Sequence, residues 1–109
     1  MAYDEKLADR LSALVKSRKG FARKKMFGGV AFMLHGNMCF GVHKDSLVIR
    51  TDEESANISL KRKYVKPFDI TGRPMKGWIM VSKDGIKTKD SLDKWTSLAI
   101  KFVKTLPKK

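Results

Sequence analysis

Apolar residues recur along this chain with two different periods. Leu7, Leu11, Leu14 and Val15 fall three or four positions apart after Asp4, a good capping residue, so the spacing predicts a first amphipathic helix. Arg18 and Lys19 are expected at its C-terminal end, where cations complement the helix dipole, with Gly20 as its stop. From about Lys25 to Leu34 the period changes to two. Met26, Gly28, Val30, Phe32 and Leu34 then share one face, and Phe27, Gly29, Ala31 and Met33 the other. Both faces are apolar, so this strand is expected to be covered on both sides: by helices on one, and by another chain or a curled part of the sheet on the other. Gly28-Gly29 inside the run predicts a bulge or a very close backbone approach. Gly36-Asn37 has the chemistry of a two-residue hairpin turn. Met38, Phe40 and Val42 next alternate with Cys39, Gly41 and His43, Lys44-Asp45 makes a second turn, and residues 46–50 form a third strand. Residues 25–50 therefore read as an antiparallel meander.

Thr51 followed by Asp52, Glu53 and Glu54 predicts a helix start, and the polar stretch 55–66 keeps that helix short. Two further strands are expected at 67–70 and 77–81 around a turn at Thr71-Gly72-Arg73-Pro74, with another turn at Asp84-Gly85. A final helix over about 91–106 carries Leu92, Trp95, Ala99, Phe102 and Leu106 on one stripe and is closed by Pro107. The expected order is α-β-β-β-α-β-β-α. It indicates an α+β fold: an antiparallel sheet with helices packed on it.

Composition adds bounds to this pattern. A chain of 109 residues with 42% hydrophobic residues fits one domain over residues 1–109, able to bury a core without disulfide or metal. No apolar run approaches the ~20 residues of a membrane span, and the opening Met-Ala-Tyr-Asp-Glu-Lys is not a secretory signal. Its single cysteine, Cys39, excludes an internal disulfide and suits a reducing compartment, so a cytoplasmic location is expected. The formal charge is +13, of which the part after Glu54, with fourteen basic and four acidic residues, carries +10. Such a field attracts polyanions at low salt.

Several residues already noted, Met26-Phe27-Gly28-Gly29, Phe32, Gly36, Met38-Cys39-Phe40 and the strand 45–50, together resemble the N-terminal domain of the TfoX/Sxy competence-regulator family. Pro67-Phe68, Gly72-Arg73-Pro74-Met75 and the closing helix with Trp95 extend the resemblance over nearly the whole chain. Its fold signature is Met26, Phe27, Gly28, Gly29 and Gly36. The resemblance implies the element order given above and a regulatory role without catalytic residues. Full-length members carry a second, C-terminal domain and are implicated as transcriptional co-activators. This chain ends at Lys109, so a stand-alone N-terminal-type domain is expected.

Candidate chemistry is sparse. His35, His43 and one cysteine match no metal-ligand spacing, and no metal or cofactor is expected. Cys39 and His43 are expected on one strand face about 13 Å apart, outside hydrogen-bond reach, with Cys39 a small buried hydrophobe. Asp52, Glu53 and Glu54 serve a helix dipole, and Gly28-Gly29 lacks the Gly-Lys-Ser/Thr ending of a phosphate loop. No catalytic residue is assigned. Binding is better represented. Arg18, Lys19, Arg23, Lys24 and Lys25 cluster where the first helix hands over to the sheet, and Lys61, Arg62, Lys63 and Lys66 share a loop with Tyr64. Cations interleaved with an aromatic suit phosphate contact plus base stacking; a solvated loop is the plainer alternative. A non-enzymatic regulatory module acting through an unidentified protein partner is expected, with nonspecific nucleic-acid affinity. Direct nucleic-acid binding through these two clusters is the alternative, and a small enzyme a more distant one. The two-faced apolar strands also make a homodimer credible.

Overall fold

A computed structural model describes residues 3–26, 28–68 and 76–107. Phe27, the Thr71–Pro74 turn, Met75 and the second half of the strand expected at 67–70 lie outside the described residues. Among them, helix α1 (Glu5–Val15) leads into β1 (Phe21–Met26), β2 (Gly29–Leu34), β3 (Asn37–His43) and β4 (Ser46–Arg50). Helix α2 (Glu53–Ser59), β5 (Val65–Pro67), β6 (Trp78–Val81), a 3-10 turn (Lys83–Gly85) and α3 (Lys89–Val103) complete the order. The six strands form one antiparallel sheet in the order β1-β2-β3-β4-β6-β5. The architecture is α+β with helices packed on the sheet, as the pattern predicts, with one strand more than expected.

The extra strand is β1. The segment expected as one strand from Lys25 to Leu34 is instead divided between two strands, and Phe21–Met26 pairs antiparallel with β2, which begins at Gly29, as an edge. Pairing Arg23 with Phe32 and Lys25 with Val30 gives β1 its hydrogen bonds, while residues 22–25 stay exposed. A strand solvated along its length carries no apolar alternation, which is why the pattern hides it. Helix α1 accordingly stops earlier than expected, at Val15, and Arg18, Lys19 and Gly20 belong to the connection into β1 rather than to the helix end.

The β2–β3 connection sits one residue earlier than predicted. His35 (φ 51°) and Gly36 (φ 86°) are the two left-handed turn residues between paired Leu34 and Asn37, and Asn37 already belongs to β3. The expected bulge appears on β3 rather than at the glycine pair. Phe32 pairs with Phe40 but Met33 with Met38, so Cys39 is the additional residue. Gly29 fulfils the expectation of close approach, because a Cβ there would overlap the Val42 carbonyl oxygen.

One sheet face meets the helices. Val30, Phe32, Phe40, Val42, Leu47, Ile49, Ile79 and Val81 pack against Leu7 and Leu11 of α1, Ala56 of α2, and Leu92, Trp95, Ala99, Ile100 and Val103 of α3. Full burial of each large apolar side chain stabilises the fold by about 2 kcal/mol before the entropy of ordering is counted. The buried stripe of α3 includes Ile100 and Val103, while Phe102 and Leu106, expected at its centre, are half-buried at its margin. The other face carries a second, smaller cluster of Val48, Phe68 and Met80 with Met38 and Trp78 against it. Cover within the chain therefore accounts for part of the two-sided apolar pattern.

Local caps follow side-chain chemistry. Asp4 Oδ1 accepts from the Leu7 backbone N–H at 3.1 Å, as expected for α1. For α2 the cap is Asp52, whose Oδ2 accepts from Ser55 N–H at 2.9 Å, not Thr51. Thr51 is buried, and its hydroxyl donates to the Asp52 carboxylate. Thr88 Oγ1 accepts from Ser91 N–H at 3.1 Å and starts α3 two residues before the expected boundary.

Candidate nucleic-acid interface at two sheet edges

The two basic clusters lie on the two edge strands, which are the first and last in the strand order. The fold keeps them on separate edges, so they form no continuous strip along the sheet. Each has to be judged on its own surroundings.

On the first edge, Arg18 and Lys19 occupy the α1–β1 connection, and Arg23, Lys24 and Lys25 lie along β1. Arg23 is engaged within the chain: its Nη1 lies 3.6 Å from Asp9 Oδ1 and 3.2 Å from Ser12 Oγ, and its guanidinium lies 6.0 Å from the Phe32 ring centre. Lys24 and Lys25 are exposed. Phe21, the aromatic side chain of this strand, is half-buried and tilted against Phe40 at 5.9 Å. Charge without an open ring is a common way to keep an edge strand from pairing with another chain.

On the second edge, α2 ends at Ser59 and the chain turns through Lys61, Arg62, Lys63 and Tyr64 into β5, where Lys66 and Pro67 lie. Lys66 is thus a strand residue and not part of the loop expected from sequence. Tyr64 has φ 72°, a left-handed conformation that costs a bulky residue of order 1–3 kcal/mol unless its surroundings impose it. One hydrogen bond holds it here, and one glycine leaves it room. The Tyr64 carbonyl accepts from Ser82 N–H at 2.8 Å, extending the β5–β6 pairing. Beneath it lies Gly85, where an added Cβ would come within 3.1 Å of Tyr64 Cβ and 2.7 Å of Val81 Cγ1.

The result is a tyrosine at the surface, 41% exposed as a whole residue, with the Lys63 ammonium 5.2 Å from its ring centre. The Arg62 guanidinium lies 5.1 Å from the centre of the Trp95 ring, which is itself buried. Arg62, Lys63, Tyr64, Asp84, Ser91 and Trp95 line a cleft of about 310 Å³. Asp84 is paired with Lys87 at 3.3 Å. Sequence reasoning found the cations and Tyr64. It missed Trp95, Asp84 and Ser91 as their neighbours, because only the packing of α3 beside the 61–64 turn brings them there.

The remaining chemistry is dispersed. Cys39 is fully buried, and burial pushes its thiol up to about 12 against the opposing influence of the Arg50 charge. It belongs to the helix-side core, whereas the His43 ring meets Phe68 at 6.1 Å in the cluster on the opposite face. The bulge at Cys39 thus overturns the expectation that the two share a face. His35 sits in the β2–β3 turn, where its backbone N–H donates to Gly20 O at 2.9 Å. Among the described residues no three His, Cys, Asp or Glu side chains group as metal ligands, and no helix is long and apolar enough to cross a membrane.

A profile of the TfoX N-terminal domain matches residues 13–103, from the last turn of α1 through the end of α3. The chain belongs to the TfoX N-terminal domain family. No curated protein and no solved structure matches it. Within this TfoX N-terminal domain, the matched span contains all six described strands and both basic edges.

Proposed function

We propose that this TfoX N-terminal domain is a non-enzymatic regulatory binding module of the competence-regulator kind, acting through contacts with a protein partner, with added affinity for polyanions. Its family membership over residues 13–103 is the observation that carries this reading. The +13 charge supports the polyanion affinity. The burial of Cys39 and its high thiol pKa argue against thiolate nucleophilic chemistry at that residue. On this reading residues 1–109 act as one domain in the cytoplasm, as a monomer or a homodimer. A pull-down from native lysate, with and without nuclease, tests it. A partner retained after nuclease treatment is expected; disappearance of every partner on nuclease treatment would count against protein contact.

The second reading is direct nucleic-acid binding, favoured by the exposed Tyr64 ring beside Lys63 and Arg62. It takes Lys61, Arg62, Lys63, Tyr64 and Lys66 as contact residues, with Arg18, Lys19, Arg23, Lys24 and Lys25 as a second cationic surface. Binding at low salt that weakens steeply as salt rises is its expected signature.

A further inference from the structure

The geometry points to the cleft beside Tyr64 as a site for single-stranded nucleic acid, with one base stacked on the Tyr64 ring and the adjoining phosphates on Lys61, Lys63 and Lys66. This rests on the second reading above and gives it one location and one ligand class. Tyr64 is one of two large apolar side chains exposed among the described residues, and the other, Ile58, is not aromatic. Its ring is presented in a left-handed backbone conformation that glycine or asparagine would adopt more readily. The Ser82 hydrogen bond to the Tyr64 carbonyl holds the backbone there, and the absence of a side chain at Gly85 leaves it room.

The charge distribution orders the ligand. Lys61 and Lys66 are exposed outside the cleft, while Lys63 is exposed and lines it together with Arg62 and Asp84. The Asp84 carboxylate is already paired with Lys87 at 3.3 Å, which leaves the Arg62 and Lys63 cations of the lining to draw phosphate to the cleft mouth while the base stacks on the ring beside them. A volume of about 310 Å³ lies at the small end of ligand pockets, enough for a base but not for a duplex. Bases inside a duplex are already stacked on each other, whereas an unpaired strand can offer one to Tyr64. Selectivity for single strands follows from the ring, and the cations alone would not supply it. At the β1 edge the nearest aromatic, Phe21, is half-buried against Phe40, so that edge offers charge without a platform.

The full chain, titrated by fluorescence anisotropy with a short oligothymidylate and with a duplex of the same length, provides the test. The oligothymidylate is expected to bind more tightly, with a slope of log affinity on log salt of about −2 for three neutralised phosphates. Tyr64→Gly should weaken single-strand binding roughly five- to a hundredfold, the range for losing one stacked base. Glycine suits the φ of 72° at this position, so the melting temperature should not fall and the weakening cannot be ascribed to unfolding. Tyr64→Phe, which keeps the ring, should bind within about twofold of the parent. Equal affinity for both probes, or a Tyr64→Gly variant that binds the oligothymidylate like the parent, overturns the stacking site while leaving a general polyanion surface intact. No binding of either probe at low salt overturns the nucleic-acid reading itself.

Discussion

β1 and β5 are both lysine-bearing edge strands of one sheet, but they present their charge in different settings. β1 spreads Arg23, Lys24 and Lys25 along extended backbone, and Arg23 is tied to Asp9 and Ser12 of α1. β5 is three residues long, is closed by Pro67, and follows a turn that holds an open aromatic ring above a cleft. A short edge ending in proline is already poor at pairing with another strand, so its neighbouring cations are not needed to prevent that. On β1, which is six residues long, the cations suffice as protection. Similar composition thus has two physical explanations, and the strand length and the nearest ring separate them.

Each edge also depends on a glycine, and the obstacles differ in kind. At Gly29 an added methyl meets the Val42 carbonyl, which is backbone and cannot turn aside; at Gly85 it meets the side chains of Val81 and Tyr64. Gly29→Ala is therefore expected to cost about 3 kcal/mol or more, as overpacking against a fixed group does, lowering the melting temperature by roughly 15 °C. Gly85→Ala is expected to cost about 1–2 kcal/mol, because the side chains can partly give way. Thermal unfolding followed by circular dichroism measures both. Equal effects would show that the backbone at β2–β3 relaxes as easily as a side chain and would erase this difference between the edges.

Legibility from sequence followed burial. Strands β3 and β4 are apolar and buried along most of their length and the turns beside them use their own chemistry, so the pattern gives their positions directly, though not the bulge at Cys39. β1 does not alternate, since residues 22–25 are all exposed, and its antiparallel pairing with β2 leaves no mark in the apolar pattern. The one-residue errors at His35-Gly36 and at Asp52 have a related origin: more than one neighbouring side chain can fill such a role, and packing selects which. Burial of Thr51, for example, leaves the cap to Asp52. At the candidate site the residue types were readable at 61–66. Their convergence with Trp95 and Asp84 was not, because it joins distant parts of the chain.

Helix α2 delivers the chain to the Tyr64 edge, and its N-cap links that edge to pH. The Asp52 carboxyl is held below its ordinary value of 3.8 by the hydrogen bonds it accepts from Ser55, with a smaller contribution from Thr51. A folded-state pKa below the unfolded one means that the charged cap stabilises the fold above about pH 4. That contribution is lost as the pH falls through the lower, folded value. Asp52→Asn retains an oxygen acceptor but no titrating charge. Melting temperatures of the two proteins should therefore differ most near neutral pH and converge in acid. A difference that stays constant from neutral to acid pH would show that the Asp52 charge has no part in holding α2.

The smallest effect is expected where the charge is most evident. If Lys24 and Lys25 are edge protection, replacing both with threonine removes two positive charges from β1 while leaving a residue that strands accept well. Oligothymidylate affinity should then fall by no more than about twofold at physiological salt, because charges beyond a Debye length of about 8 Å are largely screened. Removing Lys61 and Lys63, by contrast, should flatten the salt dependence by about 0.7 for each phosphate that is no longer neutralised. The β1 variant should instead show itself as concentration-dependent association in gel filtration, because an uncharged six-residue edge has free backbone donors and acceptors to offer. Should the β1 variant lose affinity as steeply as the variant at 61 and 63 while remaining monodisperse, the two edges would be parts of one polyanion surface. Strand length and ring exposure would then no longer distinguish them.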